Sequence, residues 1–252
     1  MPKRAAIDVA FTPAETGDVS GSIAVVIDVL RASSSIITLF DRGARSIGLA
    51  HSVEAARAAA KAATGVLLCG EVGGLPPYGF DFGNSPSEFS HLDMAGKDLV
   101  MATTNGTAAV RACASAGAVL IGALINANAV MREALPLLDA FNRVVLVCSG
   151  VGGRFVLDDA VAAGYLCHIL VNEARVRKLP LDQSNSAIAA YRLYHSYPNL
   201  LVALNESDSA LNLLPLRLGA DISYCARTSV SKTVPRLGMI AGEQVRQGFY
   251  LL

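Results

Sequence analysis

The run at residues 23–29, I-A-V-V-I-D-V, is the feature that most constrains the fold of this chain. Because its apolar residues fall on both faces of the predicted strand, both faces must be covered, as in a sheet packed between helices. Asp28 stands near the end of this run, Arg31 follows it, and three serines then open a predicted helix over residues 33–42. A strand that delivers a carboxylate, a guanidinium and hydroxyls to a helix start is suited to hold a metal ion and an anion.

The order of apolar run, polar turn and helix repeats along the 252 residues. This alternation is typical of the α/β class, and we expect three α/β/α layers around a mostly parallel or mixed central sheet. We predict one domain over residues 1–252, with a helix-rich portion near 182–218. The patterns at 221–225 and from Met239 onward predict late strands.

The composition limits the classes of function. Apolar residues make up 52% and charged residues 17% of the chain, which predicts an extensive buried core. The formal net charge is zero and no basic block occurs, so nucleic acid is not expected as a partner. The N-terminal residues indicate neither a signal sequence nor a membrane span, and we expect a cytoplasmic protein without a membrane partner. A homo-oligomer is left open.

Polar side chains follow four of the predicted strands. Because open α/β sheets bind ligands at the carboxyl ends of their strands, we expect these side chains to meet at one edge of the sheet. The four groups are Asp28, Arg31, Ser33, Ser34 and Ser35; Glu71, Asp81, Asn84 and Ser85; Thr103, Thr104, Asn105 and Thr107; and residues 149–154 with Asp158 and Asp159.

Carboxylates that meet without a histidine or cysteine cluster favour a hard cation. The five cysteines and four histidines are scattered singly, without metal-ligand spacing. Mg²⁺ takes oxygen ligands and pairs with phosphate, and Arg31 beside it would bind phosphate in bidentate fashion. These residues predict a metal-assisted phosphoryl site. For Asp158 and Asp159 a second interpretation is capping, since acids in a first helical turn are favoured by the helix dipole.

Four sequence blocks are specific in combination. They read D-V-L-R-A-S-S-S-I at 28–36, G-E-x-G-G at 70–74, G-F-D-F-G-N-S-P at 79–86 and T-T-N-G-T at 103–107. Together they resemble the 2-phosphosulfolactate phosphatase family. The likeness continues through the strand end at 148–150, the helix that begins near Asp158, and residues 221–235, so that it spans nearly the whole chain.

The resemblance implies a Mg²⁺-dependent phosphatase with a three-layer α/β/α fold. It would remove phosphate from 2-phospho-3-sulfolactate, a step toward coenzyme M, and related members accept other 2-phosphorylated 2-hydroxy acids. The expected partner is therefore a small anionic phosphorylated substrate. Val72 stands where the family usually has an arginine. If that arginine holds the second anion of the substrate, its replacement leaves the exact substrate of this chain open.

Within this likeness the residues receive hypothetical roles. The catalytic residues would be Asp28, Arg31, Asp81 and Asn105. The metal ligands would be Asp28, Glu71, Asp81 and Asp159. The phosphate-binding residues would be Arg31, Ser33, Ser34, Asn84, Ser85, Thr103, Thr104, Asn105, Gly106 and Thr107. Water activated by the metal would attack phosphorus, while Arg31 and Mg²⁺ meet the charge on the phosphate oxygens.

Two alternatives stand beside this hypothesis. Asp28 could act as a covalent nucleophile, as in haloacid-dehalogenase-type phosphatases. Those enzymes place a second aspartate two positions further on, where this chain has Leu30, which counts against that mechanism. A non-catalytic module could also use the same anion-binding turns to hold a phosphorylated metabolite without turnover.

Overall fold

The computed structural model describes residues 4–103, 105–238 and 249–251. Their strands are β1 Ala5–Ala10, β2 Ile23–Ile27, β3 Ser46–Ala50, β4 Leu67–Gly70, β5 Asp98–Ala102, β6 Ala118–Gly122, β7 Arg143–Cys148, β8 Leu181–Gln183, β9 Leu237–Gly238 and β10 Phe249–Leu251. Their α-helices are α1 Ala32–Asp41, α2 Val53–Lys61, α3 Pro86–Phe89, α4 Gly106–Ala112, α5 Ala127–Phe141, α6 Leu157–Val176, α7 Asn185–Ser196, α8 Leu200–Asn205, α9 Asp208–Leu213 and α10 Gly219–Cys225. Short 3₁₀ helices lie at Pro13–Glu15, Leu124–Asn126 and Leu214–Leu216.

The strands form two sheets. The first is parallel throughout, in the order β6-β2-β7-β1-β8. The second has the order β4-β5-β3-β10-β9, in which β4, β5 and β3 are parallel and β10 is antiparallel to both of its neighbours. The α/β class and the mostly parallel pairing predicted from the sequence are confirmed. The strands divide between two sheets, however, where the sequence predicted one central sheet.

Strand β2 shows how the layers pack. Ile23, Val25 and Ile27 belong to a hydrophobic cluster with α5, α6 and α7, while Ala24 and Val26 belong to a second cluster on the opposite face. The second cluster also contains buried residues of α1, α4 and the second sheet, so it lies between the two sheets. A smaller third cluster joins the other face of the second sheet to α2. The apolar run of β2 is therefore covered on both faces, as its composition predicts.

Helices α7, α8 and α9 occupy the segment near 182–218 that the sequence predicted to be helix-rich. The strand predicted at 221–225 is wrong, because these residues belong to α10. The spacing of the buried residues of α10 is that of one helix face. They are Asp221, Ile222 and Cys225. The strand predicted from Met239 onward lies outside the described residues, apart from β10.

Crossing a lipid bilayer takes about 20 consecutive, mostly apolar residues in one helix. Among the helices that the structure describes, none combines that length with that composition.

Candidate functional site

A cavity of about 550 Å³ lies where strands of the two sheets end. Strands β2 and β7 of the first sheet and β4 and β5 of the second lead into the segments that line it. We call it the strand-end cavity. The structure brings six of the predicted site residues to its wall: Asp28, Arg31, Glu71, Asn84, Thr103 and Asn105. The expected meeting of separate strand ends therefore occurs, although the strands come from two sheets instead of one.

The start of α1 holds the Asp28 carboxylate in place. The backbone N–H of Asp28 donates to Ser33 Oγ at 3.0 Å, and Oδ1 of Asp28 accepts from the Ala32 N–H at 3.0 Å. Oδ2 accepts no hydrogen bond from the described residues, and it lies beside Gly106, the first residue of α4. One oxygen of Asp28 is thus used for positioning, and the other remains available to a ligand.

Arg31 is buried on the cavity wall, and its charge is paired. Nη1 donates to Asp221 Oδ2 at 2.8 Å, and Nη2 donates to the Gly74 carbonyl oxygen at 2.8 Å. Arg31 is 4% exposed and Asp221 is 0% exposed, so this ion pair is withdrawn from water. A guanidinium carries five N–H donors, and these two bonds leave the others free for a ligand. Reasoning from the sequence missed Asp221, because it predicted a strand there.

The segment between β4 and α3, residues 71–85, supplies two more groups, and we call it the glycine-rich loop. Oε2 of Glu71 accepts from the Gly74 N–H at 2.7 Å, which fixes the carboxylate at the start of the loop. Asn84 is 4% exposed, and its Oδ1 is buried without a hydrogen-bond partner among the described residues. A buried amide oxygen is costly to leave unpaired, so Asn84 is suited to meet a bound ligand.

Thr103 and Asn105 come from the turn between β5 and α4. Oγ1 of Thr103 lies 3.3 Å from Oγ1 of Thr107, which in turn donates to the Ala50 carbonyl oxygen at 3.2 Å. Oδ1 of Asn105 accepts from the Gly152 N–H at 3.4 Å, a long contact toward the segment that follows β7. Thr104, also predicted to bind phosphate, lies outside the described residues.

Several predicted phosphate-binding residues are buried behind the wall and do not line the cavity. The hydroxyl of Ser34 donates to the Val29 carbonyl oxygen at 2.9 Å, and the hydroxyl of Ser85 donates to Asp221 at 2.7 Å. Their hydroxyls stabilise the turns that carry Asp28 and Asn84. The residues in this position are Ser33, Ser34, Ser85, Gly106 and Thr107.

Two predicted metal ligands also lie away from the wall. Asp81 is exposed, and its Oδ2 accepts from the Leu68 N–H at 2.7 Å. Asp159 is buried, with Oδ1 accepting from the Val29 N–H at 2.9 Å and Oδ2 from the Gly150 N–H at 3.1 Å. Asp159 therefore joins the turn after β2 to the turn after β7. Both donors lie outside α6, so Asp159 does more than cap the helix that contains it.

One side of the cavity was not predicted from the sequence. It is formed by α9 and the 3₁₀ helix after it, and its residues are Ser209, Asn212, Leu213 and Leu216. The hydroxyl of Ser209 donates to Oδ1 of Asp158 at 2.9 Å, which links this side to the start of α6. The sequence offers no signal for this contact, because α9 carries no motif and is separated from the last of the strand-end turns by the whole of α6, α7 and α8.

Burial raises the pKa values of the acids around the cavity. Burial first, and then the charges of Asp158 and Glu71, raises the pKa of Asp28 to about 7. Burial raises the pKa of Asp158 to about 6. Burial, followed by the charges of Asp158 and Asp28, raises the pKa of Asp159 well above its ordinary range. A cation placed among these groups would stabilise their ionised forms.

The oxygens on the wall fit a hard cation. Asp28 keeps Oδ2 available, Glu71 uses Oε2 for the Gly74 N–H, and Oδ1 of Asn84 lacks a partner among the described residues. Within those residues, no three or more His, Cys, Asp or Glu side chains are grouped to share one metal ion. Mg²⁺ is commonly held by one or two carboxylates together with water and substrate phosphate, and the donors here suit that type of site.

Comparison with known proteins gives a consistent result. The family model described as 2-phosphosulpholactate phosphatase matches residues 10–239. A protein of Deinococcus radiodurans is 40% identical over 227 residues, which cover 90% of this chain and 91% of that protein. A protein of Thermus thermophilus is 39% identical over 222 residues, which cover 88% of this chain and 90% of that protein. Both carry the name probable 2-phosphosulfolactate phosphatase.

Proposed function

Because the chain belongs to the 2-phosphosulpholactate phosphatase family, we propose that it is a Mg²⁺-dependent phosphatase acting on the phosphate monoester of a 2-hydroxy acid. The substrate we propose is 2-phospho-3-sulfolactate, which would give 3-sulfolactate and phosphate. The observation that carries the proposal is the strand-end cavity, where Asp28 and Glu71 share one wall with Arg31. A role in coenzyme M formation and a cytoplasmic location stay predictions, and the oligomeric state stays open.

The Mg²⁺ ion would be held by Asp28 and Glu71, with Asn84 as a further oxygen donor. The charges around the cavity support this assignment, because Arg31 is already paired with Asp221, while Asp28 and Glu71 form no ion pair with any of the described residues. An anionic substrate entering such a site needs added positive charge. When bound, Mg²⁺ supplies positive charge to the phosphate oxygens and activates water for attack on phosphorus.

Other side chains of the cavity would bind the phosphate and the carbon skeleton of the substrate. Arg31 offers its unengaged N–H groups to the phosphate and stabilises the negative charge that develops as the phosphoryl group is transferred. Thr103 and Asn105 offer a hydroxyl and an amide to the same oxygens from the turn before α4. Leu213 and Leu216, which also line the cavity, give the carbon skeleton of the substrate an apolar surface.

Phosphate release from 2-phospho-3-sulfolactate tests the proposal, with Mg²⁺ present and after its removal by a chelator. We expect turnover that requires Mg²⁺ and falls on the order of 100-fold or more in Asp28→Asn. Asp182→Asn is the matched control, because Asp182 is an exposed acid in an ion pair with Arg4. Substrate binding without phosphate release would favour a non-catalytic binding module. An aspartyl-phosphate trapped on Asp28 would favour the covalent mechanism.

A further inference from the structure

A fully buried acid, Asp221, lies behind Arg31 and does not line the strand-end cavity itself. We propose that Asp221 is a positioning residue, which orients Arg31 toward the phosphate and holds the glycine-rich loop against the cavity. This inference rests on the proposed phosphatase function. Its structural part, the ordering of the loop, is tested separately from activity.

The first oxygen of Asp221 sets the direction of Arg31. Oδ2 accepts from Nη1 of Arg31 at 2.8 Å, and Nη2 of the same guanidinium donates to the Gly74 carbonyl oxygen at 2.8 Å. Together with the covalent attachment of the guanidinium to its own aliphatic stem, these two bonds fix the plane of this rigid group. The unengaged N–H groups of Arg31 are therefore held in one orientation before the substrate arrives, which lowers the cost of binding the phosphate.

The second oxygen of Asp221 binds the end of the glycine-rich loop. Oδ1 accepts from Ser85 Oγ at 2.7 Å, from Ser87 Oγ at 2.6 Å and from the Ser87 N–H at 3.2 Å. Ser85 is also the N-cap of α3, where its hydroxyl accepts from the Glu88 N–H at 3.2 Å. Asp221 thus anchors the point at which the loop passes into α3, directly after Asn84.

One carboxylate consequently joins both ends of the glycine-rich loop to the start of α1. Arg31 binds the beginning of the loop through Gly74, and Asp221 binds its end through Ser85 and Ser87. The two loop residues on the cavity wall, Glu71 and Asn84, lie close in sequence to these anchored positions. Loss of the Asp221 charge would leave Arg31 without its buried partner, so both the arginine and the loop should lose their fixed positions.

The variant Asp221→Asn tests this proposal, because the amide keeps the size and an acceptor oxygen but removes the charge. We expect kcat to fall at least 10-fold. The Mg²⁺ concentration for half-maximal activity should rise, and backbone amides of residues 71–87 should exchange hydrogen faster. Asp8→Asn is the matched control, since Asp8 also pairs with an arginine, Arg143 at 2.9 Å, and accepts from a serine, Ser186 at 2.9 Å. The control should leave all three measurements unchanged.

The outcomes separate the two proposals. If the wild type releases no phosphate from 2-phospho-3-sulfolactate, the proposed function fails, and hydrogen exchange in the two variants still decides whether Asp221 orders the loop. If Asp221→Asn keeps kcat within twofold of wild type with unchanged exchange at 71–87, the positioning role is overturned. Should Asp221→Asn fail to fold, Ser87→Ala replaces it. Faster exchange near Ser87 would then support the role, and unchanged exchange would contradict it.

Discussion

Gly106 lies directly against Asp28. A Cβ atom at position 106 would be 3.2 Å from Oδ2 of Asp28 and 3.3 Å from both Ala32 Cβ and Thr103 Oγ1. These distances are shorter than an ordinary van der Waals contact, so the absence of a side chain lets α4 begin beside the carboxylate. The glycine in the T-T-N-G-T block thus serves the close approach of a helix to an acid, without lining the cavity itself.

Gly106→Ala should therefore reduce activity more than it reduces stability. Alanine is favoured over glycine by at most about 1 kcal/mol at this first position of α4, and this gain offsets part of the crowding around Asp28. We expect kcat/KM to fall on the order of 10-fold while the free energy of unfolding changes by less than about 1 kcal/mol. Gly219→Ala is the matched control, because a Cβ there would meet Leu214 at an ordinary 3.5 Å. Equal activity of the two variants would contradict this account.

The sequence predicted the alternation of strands and helices and the turns after the strands that carry polar residues. The apolar run of β2 predicted a strand covered on both faces, and the structure confirms it. The rule for strand ends placed Asp28, Glu71 and Thr103 together, because each follows a strand that leads to the same cavity. These predictions depend on local pattern and on a general property of parallel sheets, both of which a single sequence contains.

The direction of individual side chains could not be predicted in this way. Ser34 and Asp159 lie in the first turns of α1 and α6, close to the strand ends as the hypothesis required, yet their oxygens bind backbone groups behind the wall. A hydroxyl or carboxylate at a turn can satisfy either a ligand or the chain, and only the three-dimensional arrangement decides which. The contribution of α9 and the Arg31–Asp221 pair were missed for a related reason. They depend on contacts between segments far apart in the sequence.

The metal-free protein should lose stability as the pH rises from about 4 to about 7. The pKa of Asp28 is raised from 3.8 to about 7, so in this range the folded state binds more protons than the unfolded state. The free energy of unfolding therefore decreases with pH, and the decrease ends above pH 7. Urea unfolding in the presence of a chelator, at several pH values from 5 to 8, measures this dependence.

Asp28→Asn isolates the contribution of that acid. The variant should gain stability relative to wild type as the pH rises, since it carries no charge to bury. Other groups titrate in both proteins, so the difference between the two curves is the informative quantity. Addition of Mg²⁺ should stabilise the wild type most at pH 8, where Asp28 is ionised. A difference that is constant from pH 5 to 8 would contradict the raised pKa.

Gly164 permits close contact between α6 and α7. A Cβ at this position would be 2.1 Å from the Ala190 carbonyl oxygen and 2.8 Å from Tyr194 Cβ. Gly164→Ala should destabilise the fold by about 1–3 kcal/mol, because overpacking against a backbone outweighs the helix propensity that alanine adds. Thermal unfolding would show a Tm lower by roughly 2–4 °C per kcal/mol. A Tm equal to or above that of wild type would show that the two helices can move apart without a loss of stability.

Glu71 and Asp81 were both predicted to bind metal, and the structure separates them. Glu71 lines the cavity, whereas Asp81 is exposed and accepts from the Leu68 N–H. Glu71→Gln should raise the Mg²⁺ concentration for half-maximal activity at least 10-fold, because it removes a negative charge but keeps an acceptor for the Gly74 N–H. Asp81→Asn should change that concentration less than twofold. Measuring phosphate release at increasing Mg²⁺ concentrations compares the two variants. An equal effect of the two substitutions would indicate that Asp81 also binds the metal ion.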